Sequence, residues 1–261
     1  MEGMNTLNNV EYILDFAANL GCRMLTVGAN LERVNDTMYR ICHSYHLSSI
    51  SIFSLSSIII ISAKSPEGVT GTRQISVPYT DKHLEKLNRF NQLSRKVCAE
   101  TPPPEELSEL LKDAGNVKDY SRPVLLLGYL LAMTSLGVIN GGSIRDIICA
   151  NFNTVILLWM NDALDKRNIN RVVANTLCTW VAGTLAALYV RLGIGEHYFI
   201  IVVVNCLLLV PGSDMVNAFR NILCSNEMNG ILELLKVILE TTAIVFGLVI
   251  SLYMFGGFIS W

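Results

Sequence analysis

The sequence has few charged side chains for its length and lacks the motifs by which many enzymes are identified. Only 16% of its 261 residues are charged, whereas 51% are hydrophobic. It contains no glycine-rich phosphate loop, no Gly-x-Ser-x-Gly elbow and no clustered lysine and arginine. We therefore expect neither an enzyme nor a nucleic-acid partner. The mean hydropathy of +0.42 is typical of a membrane protein.

Metal sites and disulfides are also not expected. The seven cysteines form no Cys-x-x-Cys pair, so we predict reduced, buried side chains. His43, His46 and His83 lie near Cys42 or helix ends but match no ligand spacing, which favours solvated histidines over a metal site. The first residues show no basic segment followed by an apolar core, so no cleaved signal peptide is predicted. No cofactor is implied.

Charge divides the chain into two halves. Residues 1–120 hold 26 of the 42 charged side chains, which predicts a soluble domain over 1–118 and a membrane domain over 119–261. Asn30 is a candidate helix cap between two amphipathic patterns. The segment 50–63 is serine-rich and too short to cross a bilayer, so it predicts strands. The elements expected in the soluble half are helices within 10–46, strands within 50–63 and 69–77, and helices at 81–97 and 105–114.

Five apolar segments of the second half predict transmembrane helices. They are 123–139, 147–164, 172–190, 198–224 with an internal break, and 231–255. The segment 147–164 is the least secure, because it is short and contains two asparagines. Seven basic residues fall on the side of the soluble domain: Lys118, Arg122, Lys166, Arg167, Arg171, Arg220 and Lys236. Only Arg145 and Arg191 fall on the other side, so we expect a cytoplasmic soluble domain and an external C-terminus.

The fourth segment is interrupted at LLLVPGSDMVNAFRNIL, residues 207–223. Proline removes a backbone donor and glycine relaxes the dihedral angles, so the helix is expected to break before the bilayer is crossed. Such broken helices form substrate sites in many secondary transporters. The predicted substrate-binding residues are Pro211, Gly212, Ser213, Asp214 and Asn217. Alternatively, the break marks the cytoplasmic end of the span and an interfacial helix follows.

Other polar residues of the apolar segments are candidates for the transport path. Glu240 lies well inside the fifth segment, where an ionisable side chain is expensive and commonly functional. Asp214 and Glu240 are the proton-coupling candidates, although Glu240 could instead pair with Lys236 near the interface. Four uncharged residues are candidate pore-lining groups: Asn151, Asn175, Thr179 and Asn205. Hydrogen bonding between helices is the alternative role for these four.

Several of these stretches resemble the threonine/serine exporter family. GANLERVNDTMYRI (28–41) resembles its GAExxRVEDxMxRI signature, and LNRFNQLSRKV (87–97) the segment before its linker. NGG (140–142) and the Pro-Gly segment resemble its NGGW and LLLVPGxPLxNAxxD elements. Asp214 replaces the motif's usual proline and Asn221 its usual acid. The extra acid at the helix start could disfavour an anionic substrate or provide a proton site, so dicarboxylate specificity transfers less readily than transport itself.

The resemblance implies a multi-pass inner-membrane exporter of small polar metabolites, with threonine, serine and, in a two-subunit relative, succinate as substrates. It implies a mainly α membrane protein with five transmembrane helices preceded by a small α+β cytoplasmic domain. The chain ends after the fifth span, which suggests the split form with a small four- or five-span membrane partner in an oligomeric assembly. Transport would be coupled to the proton gradient. The competing hypothesis is a metabolite-sensing or accessory subunit that regulates a partner transporter.

Overall fold

The computed structural model describes residues 2–78, 83–118, 120–224 and 226–255, with side chains from residue 9 onwards. The elements of the first part are α1 (Glu2–Thr26), α2 (Leu31–Ser44), β1 (Ser48–Leu55), β2 (Ile58–Lys64), β3 (Thr70–Ser76), α3 (Leu84–Glu100) and α4 (Leu107–Gly115). Those of the second part are α5 (Arg122–Ile139), α6 (Ile144–Asp165), α7 (Arg171–Arg191), α8 (Tyr198–Leu209), α9 (Gly212–Leu223) and α10 (Glu227–Phe255). The protein is a mainly helical membrane protein with a small α+β head.

The head contains a three-stranded antiparallel sheet in the order β1-β2-β3. The central strand β2 alternates buried and half-buried side chains, as a strand with one covered face should. Its isoleucines Ile59 and Ile61 are completely buried. Helix α1 packs against the sheet so closely that a Cβ on Gly71 would lie 2.8 Å from Leu14 Cδ1. The α+β head expected from the sequence is confirmed.

In the head, most helix ends are determined by capping residues next to them in the sequence. The Asn30 side chain accepts a hydrogen bond from the Glu32 amide at 2.8 Å, so Asn30 caps α2 as predicted. Helix α3 extends to Glu100, three residues past the prediction, and ends with Thr101 in the left-handed region. Residues 81 and 82 of its predicted start lie outside the described part. The following prolines lead into a 3-10 turn (Pro104–Glu106) before α4.

The chain divides into two compact units. One comprises residues 1–119 together with 221–229, and the other comprises 120–220 and 230–261. The segment 221–229, with the end of α9 and the start of α10, therefore belongs to the same unit as the head. The sequence did not indicate this. Within this first unit the buried Asn229 side chain donates a hydrogen bond to the Ser54 carbonyl of β1 at 3.0 Å.

Helices α5, α6, α7 and α10 are long and apolar enough to cross a membrane, and the bent pair α8 and α9 together provides a fifth candidate span. Helix α6 has 22 residues, so the second segment is longer than the sequence suggested. Helix α10 begins at Glu227, four residues before the expected start. Large apolar side chains such as Leu131, Trp159 and Phe246 point outward. Such exposure is expected where lipid surrounds the helices.

Candidate functional site: the broken fourth span

The chain bends by 52° between α8 and α9. Helix α8 ends at Leu209, Val210 adopts an extended conformation, and α9 begins at Gly212. Pro211 lacks the N–H that would continue the helical hydrogen bonds, and its carbonyl accepts from the Met215 amide at 3.1 Å to open the new helix. Helix α8 alone is 12 residues long, about 18 Å at 1.5 Å per residue, too short to cross about 30 Å of hydrocarbon.

Helix α9 turns its apolar side outward. Val216 is 66% exposed and Phe219 is 47% exposed, whereas Ala218 is completely buried. The polar residues Asp214 and Asn217 are half-buried on the inner side. A helix on the surface of a water-soluble protein would bury the apolar side instead. This arrangement is expected of a helix that contacts lipid and directs Asp214 and Asn217 inward, whereas Ser213 and Arg220 are exposed.

The break lies toward the end of the bundle at which α6 ends and α7 begins. Leu208 and Leu209, the last residues of α8, pack on a buried cluster that contains Leu157 of α6 and Cys178 of α7. Leu157 is eight residues before the end of α6, which is about 12 Å of helix. The predicted substrate-binding residues from Pro211 to Asn217 follow directly. Pro211 is half-buried, whereas Gly212 and Ser213 are exposed.

Glu240 lies on the buried side of α10. Only 4% of this residue is exposed, and Val237 and Ile244 on the same side are equally covered. Ion pairs of the described residues do not include Glu240, so the alternative pairing with Lys236 is not observed. Glu240 is 13 residues from the start of α10, about 20 Å along the helix rather than the 13 Å inferred from a start at Ile231.

Small residues let α7 and α10 approach each other next to Glu240. Gly247 of α10 lies against Thr179 and the backbone of Thr176, with no space for a Cβ atom. The Thr176 hydroxyl donates to the Ala243 carbonyl at 3.3 Å. At the far end of the same contact, a Cβ on Gly183 would lie 2.6 Å from Ser251 Oγ. Close backbone approach at small residues is the usual basis of helix association in membranes.

A buried amide network joins α6, α7 and α8. The Asn205 side chain donates to the Ala150 carbonyl at 2.9 Å and to Thr154 Oγ1 at 3.2 Å. Its oxygen accepts from Asn153 Nδ2 at 2.9 Å, and that same Nδ2 also donates to the Ala182 carbonyl at 3.1 Å. Both asparagines have no exposed surface. The contacts are those of groups that hold helices together.

The other three pore-lining candidates are spread over α6 and α7. Asn151 donates to Thr134 Oγ1 of α5 at 2.8 Å. Thr179 is completely buried and its hydroxyl donates to the Asn175 carbonyl one turn earlier, at 2.7 Å. Asn175 is 6% exposed. None of these hydrogen bonds joins two of the four candidate side chains, and their lining of a solute path stays a prediction.

A carboxylate clip at the opposite end of the bundle was not predicted. Asp146 in the first turn of α6 is completely buried. It accepts hydrogen bonds from the Glu196 and His197 amides at 2.7 and 2.9 Å, and its other oxygen lies 2.8 Å from His197 Nδ1. It also forms a reciprocal capping box with Ser143. The clip fixes the loop before α8 against the start of α6. The Ser-x-x-Asp spacing of residues 143–146 could have predicted the cap, but not the distant partners.

Hydrogen bonding with Asp146 raises the pKa of His197 above its usual value. Asp146, Glu196 and His197 bring three possible ligand atoms within 4.8 Å of one another. The Asp146 oxygens, however, already accept five hydrogen bonds from Ser143 and the loop. A fully satisfied carboxylate of this kind acts as a structural cap.

The histidines considered from the sequence do not form a metal cluster among the described residues. Cys42 is buried, and burial raises the pKa of its thiol to about 12. His83 caps α3, because its Nδ1 accepts from the Lys86 amide at 3.2 Å. No disulfide joins the cysteines of the described part. Cys98 and Cys206 are half-buried and Cys224 is exposed, so the prediction of buried side chains is wrong for these three.

Comparison with known proteins identifies the family. The family model described as "Putative threonine/serine exporter" matches residues 15–255. The chain is also 22% identical, over 237 residues, to the "Probable succinate transporter subunit YjjP" of Klebsiella aerogenes, covering 89% of this chain and 90% of the relative. No solved structure matches. The chain therefore belongs to the threonine/serine exporter family of multi-pass membrane transport proteins.

Proposed function

We propose that the chain is a subunit of a secondary transporter that exports a small polar metabolite across the inner membrane. Threonine, serine and a dicarboxylate such as succinate are the candidate substrates. The observation that carries the proposal is the bent pair α8 and α9, in which α9 exposes Val216 and Phe219 while Asp214 and Asn217 face inward. Polar groups at a helix break among apolar spans are a recurring substrate site in transporters.

The solute would be held at the start of α9. The first turn of a helix directs backbone amides outward from its end, and this end carries partial positive charge. These amides, at Ser213 and Asp214, would bind the carboxylate that amino acids and dicarboxylates share. Asn217, one turn further on the inner side, would hold a second polar group of the solute. Pro211 and Gly212 would keep the helix open at this point.

Coupling to the proton gradient would use a buried carboxylate. Only 4% of Glu240 is exposed and it has no ion pair among the described residues, and an ionisable side chain buried in a membrane span is commonly functional. Asp214 is the alternative, since it lies within the predicted site itself. Glu240→Gln should abolish gradient-driven efflux but spare solute exchange at equilibrium. Equal loss of both activities would contradict a coupling role.

The proposed topology is a cytoplasmic domain over residues 1–118 and a five-span domain over 119–261 with the C-terminus outside. The Arg122–Asp162 ion pair, at 3.6 Å, brings the start of α5 to the same end of the bundle as the end of α6. The Arg145–Glu196 pair, at 3.4 Å, lies beside the clip at the other end. Basic residues concentrate at the first end, which the positive-inside rule assigns to the cytoplasm.

A small membrane partner of the same family would complete the transporter, since the curated relative is named a transporter subunit. The test is efflux from cells preloaded with labelled serine, threonine or succinate. The chain is expressed alone, its candidate partner alone, and then both together. Saturable, gradient-sensitive efflux of one solute only from the pair is the expected result. Efflux by the partner alone, unchanged when this chain is added, would contradict the proposal.

A further inference from the structure

A polar cleft lies between α2 and α3 in the head, on the surface of the first unit. It has a volume of about 500 Å³, within the usual range for small-molecule sites. On α2 and on α3 the lining residues are spaced one and two turns apart, so each helix contributes one face to the cleft. The lining residues that matter are Arg33, Thr37 and Arg40 on α2 and Asn91, Ser94 and Arg95 on α3.

The cleft carries an excess of positive charge. Asp36 is the one acidic residue among the described residues that line the cleft, and it is already paired with Arg40, with Nε–Oδ1 and Nη2–Oδ2 distances of 3.0 Å. The ion pairs of the described chain involve neither Arg33 nor Arg95. These two guanidinium groups come from opposite walls. Guanidinium groups bind carboxylate oxygens through two parallel N–H donors, a geometry that lysine does not offer.

Small polar side chains form the floor between the arginines. Thr37 and Ser94 are each 8% exposed, and their hydroxyls donate to carbonyls of their own helices at 2.8 Å. Because these hydroxyls already donate hydrogen bonds within their own helices, they make the floor of the cleft polar without needing a ligand to accept from them. The half-buried Cys98 borders the same space and provides a native reporter of its occupancy.

We propose that this cleft binds a small metabolite with two or more carboxylates, one group engaged by Arg33 and another by Arg95. Two unpaired guanidinium groups on facing walls fit an anion with charge at both ends better than a monocarboxylate such as serine. The site is separate from the bent span, so its occupancy does not depend on transport and can be measured without it. The head domain would therefore bind a ligand at a site distinct in sequence from the bent span.

The test measures alkylation of Cys98 by N-ethylmaleimide in the full-length chain purified in detergent. Peptide mass spectrometry follows Cys98, and the exposed Cys224 serves as an internal reference. Succinate, citrate, inorganic phosphate, serine and chloride are compared at matched ionic strength, and vesicles containing anionic lipid are added in a separate arm. We expect the two polycarboxylates to slow alkylation of Cys98 and to leave Cys224 unchanged.

Substitutions at three arginines make the test specific. Arg33→Gln and Arg95→Gln should each weaken protection by about tenfold or more, because a charge-assisted hydrogen bond is lost. Arg89→Gln removes an exposed arginine of α3 that does not line the cleft, so it should behave as the unaltered chain. Arg33→Lys and Arg95→Lys keep the charge without the fork and replace the glutamine variants if these unfold early.

Several outcomes would overturn the proposal. Protection that is equal in Arg33→Gln, Arg95→Gln and Arg89→Gln would show that the arginines do not bind the anion. Equal protection by chloride would reduce the effect to ionic strength. Protection by phosphate alone, or by vesicles containing anionic lipid but not by free polycarboxylates, would assign the cleft to another ligand class. No protection by any anion would remove the site.

Discussion

Replacing Asn205 by alanine tests whether the buried amide network holds α6 and α8 together. The substitution removes the two donated hydrogen bonds, at 2.9 and 3.2 Å, and the one accepted from Asn153, at 2.9 Å. Interhelical hydrogen bonds in membranes contribute about 0.6 kcal/mol on average. Three of them, removed at a site with no exposed surface, predict a loss of about 2 kcal/mol.

The assay is SDS-induced unfolding of the purified chain in detergent, with Ser135→Ala as the control. Ser135 is exposed on α5 and its hydroxyl donates only to the Leu131 carbonyl of its own helix, at 2.9 Å. The control should therefore stay within about 0.5 kcal/mol of the unaltered chain. A double-mutant cycle of Asn205→Ala with Asn153→Ala should give a coupling of about 0.6 to 1.7 kcal/mol.

Two results would refute this reasoning. If Asn205→Ala and Ser135→Ala have the same free energy of unfolding and the double-mutant cycle gives zero coupling, the network contributes nothing to stability. Loss of solute efflux with unchanged stability would instead support the alternative interpretation of Asn205 as a pore-lining group. The two roles are thus separated by measuring stability and efflux on the same variants.

Two further substitutions test other contacts. Gly183→Ala should destabilise the chain by about 1 to 3 kcal/mol, because its Cβ would lie 2.6 Å from a side-chain oxygen of α10. The control Gly128→Ala should not destabilise it, because no neighbouring atom lies within 4 Å of the added Cβ. Equal unfolding midpoints of the two variants in SDS would contradict the close packing. The His197–Asp146 pair should stabilise the protein fully below the usual histidine pKa of about 6.5 and lose its contribution as pH rises through the raised pKa. The Tm difference between the unaltered chain and His197→Gln should therefore shrink toward alkaline pH, and a constant difference would speak against the ion pair.

Local sequence patterns predict most of the elements because each depends on neighbouring residues. Asn30 precedes an amphipathic pattern and caps α2, and the isoleucines after residue 57 form the buried central strand. The Pro-Gly pair predicts the break between α8 and α9, since both residues act on their own backbone. The direction in which α9 turns its polar side was not evident from the spacing alone, because a buried and an interfacial helix share the same pattern.

Contacts between distant segments could not be predicted. Asp146 meets His197 across 51 residues, and Asn153 meets Asn205 across 52. No local pattern selects one asparagine rather than another as its partner. The same limit applies to the head, where Arg33 and Arg95 line one cleft only because α2 packs beside α3. The segments 28–41 and 87–97 each resemble the family in sequence, but the sequence does not show that they lie side by side.

If the start of α9 lies in the solute path, a thiol placed there should be accessible to water and protected by solute. A functional background without the seven native cysteines receives Ser213→Cys, or Val216→Cys as the control on the outward apolar side. Both are treated with a water-soluble thiol reagent, with and without the solute identified by efflux. We expect the thiol at position 213 to react and solute to slow its reaction, whereas the reaction at position 216 is unaffected by solute. Reaction at 213 that solute does not change, in a chain that still transports, would contradict the claim.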